Sequence, residues 1–320
     1  MKKLLFFCLP LFCFQHAFAE EKIAPDTVSV GLYINSVHNI DFKDKEYTIS
    51  MWVWFKYRNA DFDFSRYLEV PMAKEVDKSY YNVDTLDDGR IYMLMKLQCV
   101  MKDNWKIQNF PFDHQKLRFS IENSQYDSDS LVFVEDTVGE HYSKWTTSGW
   151  KINPDSFRIS TGTKTYQTGF GDPELDKPET DFSVFRMQIV MDREPWSLFL
   201  KLFLGMYVSF LLSYLCFFIN PDNVDSRFSL SVGSLFAVIG NKYIVDSALP
   251  ESTSFTLVDS LHGLTMAFVF AVVACSAYVL KLIKKGNPHE VKHFDRIASR
   301  VLLAVYILLN VALIWNAYTS

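Results

Sequence analysis

The chain has 320 residues, of which 49% are hydrophobic and 22% are charged, and its formal net charge is −5 at pH 7. This length allows a domain of ordinary size together with a membrane part. The acidic balance and the lack of a basic patch argue against nucleic acid as a partner. Apolar residues become dense only from Trp196 onward, so we predict a domain boundary near Pro195.

Residues 1–19 are typical of a secretory signal peptide. Lys2 and Lys3 form the basic start, an apolar run follows over residues 4–14, and Ala17 and Ala19 frame a small-x-small cleavage site. The alternative of a first membrane helix is disfavoured, because a membrane span needs about 20 apolar residues. We therefore predict that the mature chain is exported, to the periplasm if the source is bacterial.

Residues 20–194 are predicted to form an all-β, immunoglobulin-like sandwich outside the cytoplasm. Along the run 47–57, every second residue from Ile49 to Phe55 is apolar and falls on one face, while Trp52 and Trp54 fall on the other, as in a strand with one buried face. Many short strands without an amphipathic helix favour an antiparallel sandwich. Period-two patterns recur near 91–100, 115–122 and 182–191, a turn is expected at Asp87-Asp88-Gly89, and a projecting loop is expected over 161–180.

The sequence gives no indication of an enzyme, a cofactor or a metal site. Cys99 is the only cysteine of the exported domain once the signal peptide is removed, so we expect no internal disulfide there. No cysteine and histidine cluster has the spacing of metal ligands. No nucleophile elbow or phosphate-binding loop is present either.

Residues 195–320 are predicted to form a transmembrane domain of four helices. Each apolar segment is near the length of about 20 residues that crosses a membrane. Basic residues surround the connection between the third and fourth segments, which places this connection in the cytoplasm and agrees with an exported N-terminus. The segments are 196–219, 227–249, 257–282 and 294–317, and the basic residues are Lys281, Lys284, Lys285, Lys292, Arg296 and Arg300.

The second segment is too polar to face lipid on all sides, and polar residues inside a membrane usually face a bundle interior or a water-filled path. Its small residues are compatible with close helix packing as well as with pore lining. Carboxylates before the segment and at Asp246 favour a pore, because a symmetric ring of carboxylates concentrates cations. The residues that share one helical face are Ser229, Gly233, Phe236, Gly240 and Tyr243.

Three motifs resemble those of the pentameric ligand-gated ion channels, also called Cys-loop receptors. Phe110-Pro111-Phe112-Asp113-His114-Gln115 is similar to the Phe-Pro-Phe-Asp-x-Gln loop at the membrane end of the extracellular sandwich. Arg193-Glu194-Pro195 is similar to the Arg-x-Pro before the first helix, and Leu249-Pro250 to the connection after the pore helix. The family's loop cysteines are replaced by Asp103 and Leu117, and the connection between the last two helices is short, as in the prokaryotic branch.

The resemblance implies roles for residues along the second segment and at the junction of the domains. Lys242 is unusual for the family, and it either pairs with Asp246 or weakens the preference for cations. Arg193 is implied to couple the domains through Asp113, with Pro111 and Pro250 in the contacting loops. The pore residues implied are Asp225 as the inner selectivity carboxylate, Ser229 and Gly233 in the inner pore, Phe236 as the hydrophobic gate, and Gly240 and Tyr243 in the outer pore.

The family's ligand site lies between subunits and is lined by aromatic residues that hold cationic amines. Here the aromatic set is incomplete, so another ligand, or gating by protons through His38, His114 and His141, stays open. For each aromatic candidate, a place in the sandwich core or on a strand surface is an equal alternative. The candidates are Trp54, Tyr81, Tyr126, Tyr166 and Phe170.

The residue patterns and the resemblance together predict a ligand- or proton-gated, cation-selective channel in the inner membrane, and the resemblance implies that it is a homopentamer. Its expected partners are four identical subunits, permeant ions, membrane lipid and an unidentified small-molecule agonist or protons. Two alternatives remain: a non-conducting, membrane-anchored periplasmic solute receptor, and an anion-selective channel of the same fold.

Overall fold

The computed structural model describes residues 24–143, 149–171, 179–285 and 288–319, so the predicted signal peptide lies outside the described residues. As far as Arg193 the described chain is built almost entirely of β-strands. They are β1 (Asp26–Asp41), β2 (Glu46–Tyr57), β3 (Leu68–Glu69), β4 (Ala73–Thr85), β5 (Ile91–Lys102), β6 (His114–Asn123), β7 (Leu131–Glu135), β8 (Trp150–Tyr166) and β9 (Thr180–Arg193), with a single-turn helix, α1 (Phe64–Tyr67), before β3.

The strands form two sheets that share one hydrophobic core. The five-stranded sheet has the order β4-β5-β2-β1-β7, and the four-stranded sheet has the order β3-β6-β9-β8. Strands β1 and β7 pair in parallel, while the other neighbours are antiparallel. The five-stranded sheet is therefore mixed rather than purely antiparallel.

The alternation along β2 shows why this segment forms a strand in the core. Met51, Val53 and Phe55 are fully buried, whereas Trp52 and Trp54 lie half-buried on the opposite face of the sheet. Successive side chains of a strand point to opposite faces, so one apolar row is removed from water while the tryptophans cover the outer face. Each fully buried side chain of this size contributes about 1.5–3 kcal/mol of hydrophobic stabilisation.

The connection between the last two strands differs from the expectation. A loop was expected over residues 161–180, but β8 continues through Tyr166. Residues Thr161–Tyr166 pair with Phe185–Thr180 in an unbroken antiparallel ladder, and these backbone hydrogen bonds hold the threonine-rich segment in the sheet. The expected turn at Gly89 joins β4 to β5, and this glycine takes a φ of +78°, which has little steric cost without a Cβ.

Four long helices follow the sandwich. They are α2 (Pro195–Tyr214), which continues into a 3₁₀ turn (Leu215–Phe218), α3 (Val224–Ser247), α4 (Leu257–Lys284) and α5 (Pro288–Thr319). Pro195 occupies the first turn of α2, Asn223 caps α3, and Thr256 and Asp259 form a capping box on α4. Among the described residues, four helices are long and apolar enough to cross a membrane. The predicted fold class, a β-sandwich followed by a four-helix bundle, is confirmed.

Candidate functional site

Helix α3 has a buried face and an exposed face. The buried residues recur at the helical repeat, from Arg227 through Ser231, Ser234 and Val238 to Val245. Phe236 and Tyr243 lie on the opposite side, with 69% and 76% of their surfaces exposed. The structure therefore brings the predicted pore residues together on the exposed face of the single chain: Asp225, Ser229, Gly233, Phe236, Gly240 and Tyr243.

The two glycines of this face have no packing role within the chain. A Cβ atom added at Gly233 or Gly240 would meet no described atom within 4 Å. Close approach of helices occurs on the other side of α3, where a Cβ added at Gly205 of α2 would lie 3.1 Å from Asn241 Nδ2. Within one subunit, the small residues of the exposed face therefore leave open space instead of serving helix contacts.

Lys242, near the sandwich end of α3, is paired with two carboxylates. Its Nζ donates to Asp246 Oδ2 and to Asp259 Oδ1, each at 2.7 Å. Asp246 lies one turn further along α3, and Asp259 belongs to the capping box of α4. The predicted pair with Asp246 is present, and the second partner ties α3 to α4. One ammonium and two carboxylates leave a net negative charge at this end of the helix.

Arg227, at the opposite end of α3, is held inside the bundle by Asp295 of α5. Its Nη2 donates to Asp295 Oδ2 at 2.7 Å, and its Nη1 donates to Asp295 Oδ1 at 3.3 Å. The same guanidinium donates to the carbonyl of Ile219 from Nε at 3.2 Å and from Nη2 at 2.7 Å. Sequence reasoning missed this pair, because an apolar fourth segment predicted from residue 294 onward gives no reason to single out Asp295.

A polar contact inside the bundle was also missed. His262 of α4 is fully buried, with Nδ1 2.9 Å from the carbonyl of Val258 and Nε2 3.0 Å from Asn241 Oδ1. Asn241 Nδ2 donates to the carbonyl of Leu202 at 3.1 Å, so one side chain of α3 touches both α2 and α4. Buried polar groups need such partners, and the polar residues on this side of α3 therefore serve packing.

The predicted coupling residues meet where the sandwich joins the bundle. Arg193 Nε donates to Asp113 Oδ1 at 2.7 Å, and Arg193 Nη2 donates to Asp113 Oδ2 at 3.1 Å. The two side chains are only 9% and 2% exposed. The guanidinium carbon also lies 4.0 Å from the ring centroid of Trp150 and 4.6 Å from that of Phe42. A two-pronged ion pair enclosed by aromatic rings holds its geometry better than a surface pair.

The loop that carries Asp113 is closed by an ion pair where the resemblance places a disulfide. Asp103, which takes one cysteine position, accepts hydrogen bonds from Arg118, the residue after Leu117 at the other position. The side chain of Gln115 also holds the loop closed, because its Oε1 accepts a hydrogen bond from the backbone N–H of Lys106 and its Nε2 donates one to the backbone carbonyl of Lys106. These contacts explain how the loop is held without cysteines.

This loop touches the helices at two places. The backbone N–H of Leu257, at the start of α4, donates to the carbonyl of Gln108 at 2.8 Å. Phe112 packs against Trp196 of α2 and Tyr318 of α5, with ring centroids 5.4 and 6.0 Å away. Pro111 lies within the loop after a cis peptide bond, and the buried Pro250 shares a small cleft with Ile107.

Two of the predicted ligand residues line a cleft on the sandwich. Tyr166 and Phe170 lie with their ring centroids 5.6 Å apart, and Phe182 stands 5.8 Å from Tyr166. The cleft has a volume of about 340 Å³ and also contains two carboxylates that were not predicted, those of Glu69 and Glu122. Its lining residues are Glu69, Glu122, Ser124, Tyr166, Phe170 and Phe182.

Glu122 is the buried anion of this cleft, with 3% of its surface exposed. Its carboxylate accepts a hydrogen bond from the Tyr166 hydroxyl at 2.7 Å and from Lys164 Nζ at 3.3 Å. Burial by itself lowers the pKa of Lys164, but its hydrogen bond to Tyr166 and the charge of Glu122 outweigh burial and raise this pKa. Lys164 is therefore a permanent cation beside the cleft.

The other three aromatic candidates lie elsewhere. Trp54 belongs to the five-stranded sheet, and its indole N–H donates to Asp136 Oδ2 at 2.8 Å. Tyr81 is 56% exposed on the edge strand β4. Tyr126 packs edge-on against Phe62 at 4.8 Å, in contact with the core. Within one subunit the structure therefore does not bring the five candidates into one site.

The described part of the chain holds no group of three or more histidine, cysteine or acidic residues that could bind a metal ion. No protein-family model matches the chain.

Two curated relatives are receptor subunits. The chain is 19% identical over 298 residues to the gamma-aminobutyric acid receptor subunit gamma-4 of Gallus gallus, which covers 86% of this chain and 62% of the relative. It is 20% identical over 322 residues to the gamma-aminobutyric acid receptor subunit theta of Mus musculus, which covers 90% of this chain and 48% of the relative. The chain thus spans about half to three fifths of the length of the curated relatives it matches.

This low but extended similarity supports the resemblance to the pentameric ligand-gated ion channels that the three motifs indicate. Both relatives are named as receptor subunits rather than enzymes. Together with the four membrane-length helices, it indicates a multi-pass membrane protein.

Proposed function

We propose that this chain is one subunit of a homopentameric, ligand- or proton-gated, cation-selective ion channel of the prokaryotic branch, in which α3 lines the pore. One observation carries this proposal. The six residues that the motifs place in the pore all lie on the face of α3 that a single subunit leaves uncovered. A ring of subunits with these faces turned inward encloses a polar path with one apolar constriction at Phe236.

The charges along this face favour cations. Asp225 lies at one end of the path and Asp246 at the other, and rings of carboxylates concentrate cations at a pore entrance. Lys242 does not oppose this preference, because its ammonium is shared between Asp246 and Asp259. The exposed rings of Phe236 form the gate, since an apolar constriction stops ions by excluding water.

The junction of the two domains provides a route from the sandwich to the pore helix. The Arg193–Asp113 pair fixes the loop between β5 and β6 to the end of β9. The same loop bonds to the start of α4 through the carbonyl of Gln108. Asp259 in the first turn of α4 then contacts Lys242 of α3. A ligand that binds one arrangement of the sandwich better than the other shifts the closed–open equilibrium through these contacts.

The cleft beside Glu122 is the proposed ligand site. The exposed carboxylate of Glu69, which lines the cleft with Tyr166, Phe170 and Phe182, suits the positive end of a small amine. Glu122 is already paired with Lys164. The curated relatives are named as receptors for gamma-aminobutyric acid, whose amino group is of this chemical class. In an assembled ring, Trp54 and Tyr81 of a neighbouring subunit are proposed to complete the site. Gating by protons is the alternative, and His114, 2.8 Å from Asp192 at the domain junction, is a candidate group.

The proposed location is the inner membrane, with the sandwich in the periplasm. It rests on the predicted signal peptide and on the basic residues around the connection between α4 and α5.

Cysteine accessibility tests the pore directly. Cysteines placed at Ser229 and Gly233 are expected to react with a charged, membrane-impermeant thiol reagent in the assembled protein. Ser234→Cys is the matched control, because Ser234 is adjacent to Gly233 and is only 3% exposed. The wild type measures the background from its own cysteines. Complete protection of both test positions under every condition would favour a non-conducting receptor whose small residues pack between subunits.

A further inference from the structure

Arg227 places a positive charge two residues after the predicted selectivity carboxylate, yet keeps this charge out of the proposed pore. Its side chain is 2% exposed, while Asp225 is exposed. Each residue of an α-helix is rotated by about 100° from the one before, so residues two apart point in nearly opposite directions. Asp225 therefore faces the open side of α3, and Arg227 faces the bundle.

Burial of this guanidinium requires a counter-charge. An arginine stays protonated in proteins, so its charge cannot be lost by titration. The position in the first turns of α3 is also unfavourable for a cation, because the helix dipole is positive there. Asp295 of α5 compensates both effects with two hydrogen bonds to the guanidinium, and the Ile219 carbonyl accepts the other two. The side chain of Asp295 is itself only 10% exposed.

We infer that Asp295 determines the ion selectivity of the pore by cancelling the charge of Arg227 and holding its side chain away from the ions. This inference rests on the proposed channel function with α3 as the pore helix. With the pair intact, the exposed charges at this end of α3 are the carboxylates of Asp222 and Asp225. Without Asp295, each subunit adds one uncompensated cation close to Asp225, and a symmetric ring repeats this change in every subunit.

A purely structural role of the Arg227–Asp295 pair and a role in ion selectivity predict different results. If the pair only held α3 against α5, neutralising either partner would disturb the pore in a similar way. The selectivity role predicts opposite consequences for the two partners. Asp295→Asn uncovers a positive charge and lowers the preference for cations. Arg227→Gln removes that positive charge and keeps or raises this preference.

The test measures reversal potentials across a NaCl gradient for the full chain in lipid bilayers, on a Phe236→Ala background that holds the gate open. We expect Asp295→Asn to lower the sodium-to-chloride permeability ratio at least about threefold, from the Coulomb energy of one charge near the ion path. The double variant Arg227→Gln/Asp295→Asn should restore the parent ratio. Glu290→Gln is the matched control, because it removes an exposed carboxylate from the first turn of the same helix.

Two results would overturn the inference while leaving the channel in place. One is an Asp295→Asn variant that conducts with the parent permeability ratio, and the other is an Arg227→Gln variant with a lowered cation preference. If Asp295→Asn does not reach the membrane, Arg227→Gln and the double variant still decide between the two roles. No current through the Phe236→Ala parent itself would contradict the proposed pore, and the inference with it.

Discussion

The two ends of α3 each carry one basic side chain that is paired with carboxylates, but the two pairs have different surroundings. Arg227 is 2% exposed and bonds to Asp295 of α5, far from the sandwich. Lys242 is 26% exposed and shares its ammonium between Asp246 and Asp259, next to the sandwich. One end of the helix is thus held by a buried pair, and the other by a pair in contact with solvent.

This difference indicates which end of α3 can move at low cost. Breaking a buried ion pair by removing one partner costs about 3–5 kcal/mol, because the remaining charge stays buried. An exposed pair contributes only about 0–1 kcal/mol, since water replaces the lost partner. The end near Lys242 can therefore change its contacts as the sandwich moves, while the end near Arg227 acts as a fixed point for the proposed pore.

Breaking the buried pair should have the largest effect on stability. We expect Arg227→Met to lower the free energy of unfolding by about 3–5 kcal/mol, because the Asp295 carboxylate is left buried without its partner. Thermal unfolding of the full chain in detergent measures this loss. The double variant Arg227→Met/Asp295→Leu is the control and should recover most of it, since an apolar pair leaves no buried charge. If Arg227→Met lowered the free energy of unfolding by less than about 1 kcal/mol, the buried pair would contribute no more than an exposed one, which would contradict the comparison.

Breaking the half-exposed pair should change gating more than stability. We expect Lys242→Met to cost no more than about 1 kcal/mol of stability. It should nevertheless change the open probability of the channel, because α3 loses its ion pair with Asp259 in the first turn of α4. Single-channel recording gives the open probability, and Lys242→Arg, which keeps the charge, is the control. A stability loss as large as that of Arg227→Met would contradict the comparison.

The ion pair between Lys56 and Asp136 in the sandwich provides an intermediate case that depends on pH. Burial by itself raises the pKa of Asp136, but hydrogen bonds from Lys56 and Trp54 outweigh burial, and this pKa is lowered. A lowered folded-state pKa stabilises the fold at pH values above the unfolded pKa of about 3.9, and this stabilisation is lost as the pH falls through the folded value.

Asp136→Asn should therefore destabilise the protein at neutral pH and weaken the further loss of stability that the wild type shows below about pH 4. Thermal unfolding as a function of pH checks this expectation. Asp87→Asn, at an exposed turn, is the control for the removal of one carboxylate. If Asp136→Asn and the wild type lost stability in parallel as the pH falls, the Lys56 pair would have no such role.

The fold could be predicted because its determinants are local in the sequence. The alternation around Met51 and Val53 specifies a strand with one buried face, and four apolar segments of membrane length specify the helices. The Arg193–Asp113 contact could be predicted only because both residues belong to recognisable motifs.

Other contacts could not be predicted, because they join residues that no pattern links. Arg227 and Asp295 are 68 residues apart, and neither belongs to a motif. The role of Glu122 in the cleft depends on how β6 and β8 align across β9, which the sequence of β6 alone does not reveal. The extension of β8 to Tyr166 was missed because a threonine- and glycine-rich segment has the composition of a loop, whereas pairing with β9 decides its structure.

We propose above all that α3 lines a cation pore with its gate at Phe236. The most direct test is the reversal potential of cells expressing Phe236→Ala, recorded across a NaCl gradient without any agonist. We expect a constitutive current whose reversal potential follows the sodium gradient, because removal of the exposed ring opens the apolar constriction. A current that follows chloride would contradict the selectivity, and no current from protein confirmed at the cell surface would contradict the pore itself.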